Sequence, residues 1–489
     1  MILPSYPQYA DSGVEWLGDI PSYWEWYRAK QIFNVIDIRS QTGDEEILTV
    51  SSSDGVVPRS QKKVTMFQAK SYVGHKLCWQ GDLVVNSLWA WQTGLGFSKY
   101  HGVISSAYSV YRPKNEYSDY WHYFNFLLRS SIYKWEFVVR SKGVWTSRLQ
   151  LLDDEFMNIP IVIPPPDEQA AIVAFLDVAD KRIQHYIRAK QKLIALLNEQ
   201  KQAIIQQAVT RGLNPDVPMK DSGIEWLGEI PSHWEVTRSK FVFCEANNRS
   251  ITGEEPHLSM SQKHGLIASN ELDKWRMLSE SYIGAKICEK NDLVLNRLKA
   301  HLGVFAIAPQ RGLVSPDYTV FRAIRPINPY FFEALFRTPL FRVELKKRSK
   351  GIVEGFWRLY TDDFYEIFLP LPSLDEQSSI MESVGGKLNY ISSLIDKTYD
   401  DINLIREYRT RLIADVVTGK LDVRGAVFDM SAEFDETDLP DVADDEFIEE
   451  SMQDYLGEDE DENGYERTRT RGSYPTPNER SGMAGWSTE

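Results

Sequence analysis

Cysteine is scarce: three residues in 489, at positions 78, 244 and 288. So few, so far apart, suggest neither a disulfide framework nor a thiolate zinc site. Long apolar runs are missing as well, and no stretch approaches the roughly 18 residues of a transmembrane helix. The opening Met1-Ile-Leu-Pro-Ser-Tyr-Pro has no basic start and no apolar core, so it does not read as a secretory signal. A cytoplasmic protein without membrane contact is expected. Catalytic signatures are missing too. There is no Gly-X4-Gly-Lys-(Ser/Thr) phosphate cradle, which argues against a P-loop motor. The Asn/Asp-Pro-Pro-aromatic motif of a DNA amino-methyltransferase is approached only by Asn328-Pro-Tyr-Phe, which lacks the second proline. A nuclease-like pattern, Pro316-Asp317 with Glu344-Leu-Lys346, has Ala107 and Val138 at the matching positions of an internal repeat. The eight histidines show no metal-ligand spacing. The chain is expected to be non-catalytic, with no cofactor and no metal of its own.

Acidic residues outnumber basic ones by 70 to 55, but the excess is local. Residues 429–466 hold 18 Asp/Glu and no Lys/Arg, and residues 467–489 add four Arg and two Glu. What is left in residues 1–428 is near neutrality, 51 basic against 50 acidic side chains. Bulk charge therefore neither supports nor opposes a nucleic-acid partner. Residues 426–489 are expected to be a disordered, solvated acidic tail.

What the sequence does have is a long-period repeat. Asp11-Ser-Gly-Val-Glu-Trp-Leu-Gly-Asp-Ile-Pro-Ser-Tyr-Trp-Glu returns as Asp221-Ser-Gly-Ile-Glu-Trp-Leu-Gly-Glu-Ile-Pro-Ser-His-Trp-Glu, 210 residues later. Ser71-Tyr-Val-Gly-His-Lys-Leu-Cys, Asp82-Leu-Val-Val-Asn and Gly102-Val-Ile-Ser recur at the same offset. Arg140-Ser-Lys-Gly-Val and Asp167-Glu-Gln recur at 208. The chain is two copies of one unit plus a tail. Within each copy, short β-branched runs broken by glycines indicate a mixed α/β globule. A proline-rich segment with Asp-Glu-Gln then opens a long helix, where early carboxylates suit the helix dipole.

The helices carry a heptad-like seam. In the first it passes through Ile172, Leu176, Ala179, Ile183, Tyr186, Leu193, Leu197 and Ile204, with Lys190 and Gln200 as polar members. In the second it passes through Ile380, Val384, Lys387, Ile391, Leu394, Asp401, Ile405 and Leu412. Matching seams predict an antiparallel coiled-coil pair, a rod of about 60 Å at 1.5 Å per residue. The expected fold is α+β: a tandem pseudo-twofold repeat over 1–163 and 213–371, with long helices over 164–212 and 372–425. The repeated Trp16 and Trp226 segments, nearly identical, suggest a structural brace rather than a base-stacking platform.

Two variable globules, two long helices and these motifs resemble the specificity subunits of type I restriction–modification systems. The Asp-Ser-Gly-(Val/Ile)-Glu-Trp-Leu-Gly segment, the Asp-Leu-Val-X-Asn block, the Tyr-(Ser/Thr)-Val-(Tyr/Phe)-Arg block and Pro-X-X-Asp-Glu-Gln carry the resemblance, over residues 6–425. It implies a partner duplex DNA with a bipartite site, each globule being a target recognition domain for one half. It also implies two methyltransferase subunits docked on the helices and carrying S-adenosylmethionine, with motor–nuclease subunits beside them. The tail departs from the pattern. A non-reading scaffold or decoy of the same fold is the alternative. A rigid spacer between two readers suits half-sites about 34 Å apart per helical turn.

Base edges are read by polar side chains and apolar contacts. After Asn86 the first copy offers Ser87, Trp89, Trp91 and Gln92, where the second offers Arg297, Lys299 and His301 between similar flanks. Altered residues on a shared scaffold are what altered specificity requires. Cations beside a glycine, Arg140, Lys142 and Arg148 in one copy and Arg348, Lys350 and Arg358 in the other, suit phosphate contact.

Overall fold

The computed structural model describes residues 3–52, 54–62, 71–143, 149–261, 265–268, 282–351 and 357–426. The acidic tail, apart from Ala426, lies outside the described residues.

Each globule is built on a four-stranded antiparallel sheet. In the first it comprises β1 (Phe33–Ile36), β2 (Leu83–Asn86), β3 (Leu95–Phe97) and β4 (Tyr108–Pro113), in the order β1-β4-β2-β3. The second repeats it with β5 (Phe243–Ala246), β6 (Leu293–Asn296), β7 (Phe305–Ile307) and β8 (Tyr318–Ala323), in the order β5-β8-β6-β7. The register is the same: Val110 lies opposite Val84, and Val320 opposite Val294. Alternation of side chains along a strand explains why these runs are apolar throughout. Leu83, Val85 and Tyr111 point into one core and Val84 and Val110 into a smaller one across the sheet. The second globule divides Leu293, Leu295 and Phe321 from Val294 and Val320 in the same way.

The larger core of the first globule is closed by α1 (Trp121–Leu128) and α2 (Ser131–Arg140). A long helix, α3 (Pro166–Arg211), leads away with Pro166 in its first turn. In the second globule α4 (Pro329–Phe336) and α5 (Pro339–Arg348) precede α6 (Leu374–Val417). Strands on either side of each globule zip entry to exit: Glu25–Arg28 pairs with Pro160–Ile163, and Glu235–Arg238 with Phe368–Leu371.

Helices α3 and α6 run antiparallel, as expected. Arg409 donates to Asp180, Lys190 to Asp401 at 2.8 Å, and Lys201 to Ser392 at 3.0 Å, so one number rises as the other falls. Their middle is closed by Ile187, Ile194, Ile391, Ile395, Tyr399 and Ile402. The seam read from the sequence is right at Ile183, Leu197, Ile204, Ile391 and Ile405 but wrong in between. Tyr186, Leu193 and Asp401 are exposed, and Ile187, Gln191, Ile194 and Ile402 are buried instead. After Ile183 the buried positions step by 4, 4 and 3 residues, through Ile187 and Gln191 to Ile194, where the expected seam steps by 3, 4 and 3; one extra four-residue step of this kind takes up the drift of about 20° per heptad on a straight α-helix.

Each helix ends in the other globule. Ala208 and Val209 of α3 belong to the second core, while Leu412, Val416 and Val417 of α6 belong to the first. The second helix, expected to reach residue 425, stops at Val417, and Gly419 with φ near +75° turns the chain back. A Cβ there would meet Pro21 Cδ at 2.4 Å, so the position needs glycine. Tyr9 Oη donates to the Gly419 carbonyl at 3.1 Å, and the Asp422 N–H donates to the Pro4 carbonyl at 2.8 Å. The chain is thereby closed into a ring of two globules and two helices.

Candidate nucleic-acid interface

The glutamates of the repeated Asp-Glu-Gln motif fix each aromatic segment to a helix start. Glu168 accepts Tyr23 Oη at 2.6 Å and Trp24 Nε1 at 2.9 Å, and Glu376 accepts His233 Nε2 at 2.9 Å and Trp234 Nε1 at 3.0 Å. Trp16 packs edge-on against Tyr133, and Trp226 against Phe341, both at 5.2 Å. These tryptophans are braces, as their near-identity suggested.

A second repeated device holds the sheet. Buried Asp82 accepts Nε and Nη2 of Arg112 at 2.7 and 2.8 Å, and Asp292 accepts the same atoms of Arg322 at 2.9 and 2.7 Å. A bidentate, charge-assisted pair of this kind clamps β2 to β4, and β6 to β8, at the strand ends away from the variable turns. Both blocks are visible in the sequence, but nothing there joins the acid of one to the arginine of the other.

The variable turn begins where β2 ends. In the first globule Asn86 accepts the Leu88 N–H at 3.3 Å, and the chain passes through a 3-10 turn to Thr93, whose φ of 58° is left-handed. In the second Asn296 accepts the N–H groups of Leu298 and Lys299 at 3.1 and 3.3 Å, and the turn ends on Gly303 with φ 71°. Beyond α2 and α5 a loop closes on itself: Lys142 and Gln150 exchange backbone hydrogen bonds of 2.9 Å, as do Lys350 and Arg358 at 2.9 and 2.8 Å. The next residue reaches the variable turn. Leu151 N donates to the Ser87 carbonyl at 2.9 Å, and Leu359 N to the Arg297 carbonyl at 3.3 Å. Two candidate stretches some 50 residues apart in sequence thus lie side by side in each globule.

Individual residues fare differently. Trp89 is 58% exposed and stacks on Trp91, ring centres 6.1 Å apart. Trp91 Nε1 donates to the Leu88 carbonyl, and Gln92 is half-buried. Ser87, expected to contact DNA, is buried with its hydroxyl donating to the Ala107 carbonyl at 3.2 Å, because it faces the neighbouring strand turn. Arg140 and Arg348, expected at phosphates, turn back along their helices to Glu136 and to Glu344, the latter at 2.7 Å. A carboxylate one helical turn earlier competes for each guanidinium. Lys142 bridges to Glu155 and Lys350 to Asp363, each at 2.7 Å, with both lysine side chains 66% exposed. Exposed ion pairs of this sort are weak and exchange readily for a phosphate. Arg297 donates to the backbone carbonyls of Asp317 and Pro316, and Arg358 lies 3.5 Å from Asp317. Lys299 is exposed. Arg148 lies outside the described residues. Burial and nearby Lys346 push the His301 imidazole below its ordinary value, so it is neutral at physiological pH. Its ring faces Trp357 at 6.1 Å, and Lys346 Nζ sits 5.7 Å from the same indole.

Arg342 was missed by the sequence reading. Its side chain lies against the end of the variable turn, where a Cβ on Gly303 would meet Arg342 Nε at 2.8 Å. The usable signal was a cation recurring at matched positions, Lys134 and Arg342. Among the described residues no group of His, Cys, Asp and Glu could hold a metal ion. No described helix is long and apolar enough to cross a membrane.

No family model matches the sequence, and no curated protein matches it. Solved structures do. A chain from work on complex assembly and conformational transition of the type I R-M system aligns with TM-score 0.59 at 15% identity, over 82% of this chain and 99% of that one. The two share one fold. The HsdS subunit from Thermoanaerobacter tengcongensis aligns over 82% of this chain and 98% of its own, with 16% identity and TM-score 0.44. The type I restriction–modification S subunit from M. genitalium aligns over 80% and 96%, with 12% identity and TM-score 0.30. The expected α+β architecture of two pseudo-equivalent globules joined by antiparallel helices is the architecture observed.

Proposed function

We propose that this chain is the DNA-specificity subunit of a type I restriction–modification complex. Each globule reads one half of a bipartite target through its variable turn and adjoining loop. The α3–α6 pair sets the distance between the halves and docks two methyltransferase subunits, which bring S-adenosylmethionine; motor–nuclease subunits complete the complex in the cytoplasm. The chain itself is non-catalytic. The observation that carries this reading is the placement of different side chains on one scaffold. Trp89 and Trp91 occupy the positions of Lys299 and His301, each on a turn that opens with an asparagine accepting a backbone N–H, at the end of a strand whose other end is held by the same Asp–Arg clamp. A scaffold or decoy would not need that pattern. Between Ile172 and Ala208, α3 spans about 54 Å, enough to hold two readers on one face of a duplex at least one turn apart.

Single-molecule methylome sequencing of cells with the gene intact and deleted tests it. The expected result is a split motif, two short half-sites around fixed unread bases, whose methylation disappears on deletion. No change in any methylated motif, with the partner methyltransferase expressed, rejects the reading.

A further inference from the structure

The two variable surfaces share a backbone but not a chemistry. Around the turn and the loop base, the second globule places Arg297, Lys299, Arg342, Lys346, Lys350 and Arg358. The matching positions of the first hold Ser87, Trp89, Lys134, Val138, Lys142 and Gln150, and its loop adds Arg148, so three cations stand where the second has six. Acids do not erase the difference. Glu155 and Asp363 match each other, and the acids extra to the second, Asp317 where the first copy has Ala107 and Glu354 where it has Thr146, offset two of its six cations and leave four against three. Both turns expose leucine, Leu88 at 45% in the first and Leu298 at 37% and Leu302 at 43% in the second, but the first adds an indole, Trp89 at 58%, with Trp91 stacked behind. In the second, the aromatic Trp357 lies beneath the Lys346 ammonium.

We propose that the two globules hold DNA by different physics: the second supplies most of the phosphate contacts, and the first supplies apolar and aromatic contacts to base edges. This rests on the reading that both globules meet DNA. Phosphate contacts release counterions and make affinity fall with salt, by a slope of about 0.9 per contact on a logarithmic plot. Apolar contact with base edges, thymine methyl groups above all, carries sequence information and little salt dependence. Binding therefore divides into an electrostatic grip at one end and a salt-tolerant reading contact at the other.

The test uses the full chain and two duplexes, one with the bipartite site found by methylome sequencing and one with both half-sites scrambled, titrated between 50 and 200 mM salt, a window chosen as roughly physiological. Lys299→Ala/Lys346→Ala is expected to weaken both duplexes alike and to flatten the salt slope by about 1.8. Trp89→Ala is expected to leave the slope unchanged and to cost about 5- to 100-fold on the specific duplex alone. Trp89 is exposed, so its removal should leave the melting curve in place; Trp89→Phe, which keeps an aromatic face, should recover part of the affinity. A slope flattened by Trp89→Ala, or unmoved by the lysine pair, overturns the division of roles. Wild-type chain that binds both duplexes equally overturns the reading of function instead, and this inference with it.

Discussion

Cys78 and Cys288 stand at matching positions on strands that flank each sheet, and both side chains are buried. Burial pushes the Cys78 thiol up to about 11 and the Cys288 thiol up to about 12, from an ordinary value of 9, while Cys244 is exposed. The fold favours the neutral thiols, so their contribution to stability is intact below pH 9 and declines as pH rises towards 12. The thiolate is the reactive form. At pH 8 the native chain is expected to react with a disulfide reagent at Cys244 alone, and all three cysteines should react after denaturation. Two fast thiols in the native protein would contradict the burial. At this scale the sequence revealed which residues repeat but not what each repeat touches. Ser87, Arg140 and Arg348 are expected at DNA from residue type alone, and their partners within the chain, the Ala107 carbonyl, Glu136 and Glu344, are set by neighbours that residue type does not announce. Arg342 was hidden for the opposite reason, since its place beside Gly303 depends on how α5 packs.

Helix α6 carries Gly385 and Gly386 near its start, although glycine weakens a helix interior. Nothing lies within 4 Å of a Cβ built on either, so packing does not require them. Replacing both by alanine is expected to stabilise the chain by about 1–2 kcal/mol, read as a shift in the urea midpoint. Destabilisation would mean that α6 bends there in the native state. Existence and direction of the helices were legible because proline, Asp-Glu-Gln and a long periodic stretch are local signals. Their facing residues were only half legible, since one extra four-residue step, which a 3.6-residue helix needs against a seven-residue count, moves contacts in the middle of the pair by one residue.

At the scale of the whole molecule the repeat predicts two equal halves, but the halves are not independent. The core of the first globule includes Leu412, Val416, Val417 and Val423, and Tyr123 Oη donates to the Val417 carbonyl at 3.0 Å. That of the second is assembled from residues between Ile205 and Leu388. A chain ending after Leu404 should therefore show a protease-resistant second globule and a digestible first one in limited proteolysis. Equal resistance of the two would mean that the contact from α6 adds nothing to the first core. No local pattern announces this closure, because its partners are some 300 to 400 residues apart and pair ordinary tyrosine hydroxyls with backbone carbonyls.

The ring has a consequence for the time order of synthesis. A ribosome delivers domains from the N-terminus, and each usually folds as it emerges. Here the globule made first waits for the last turns of α6, while the one made second has all its parts as soon as residue 388 is free. The N-terminal globule is thus the later of the two to finish, and its exposed seat for Leu412 and Val416 is open until those residues have emerged.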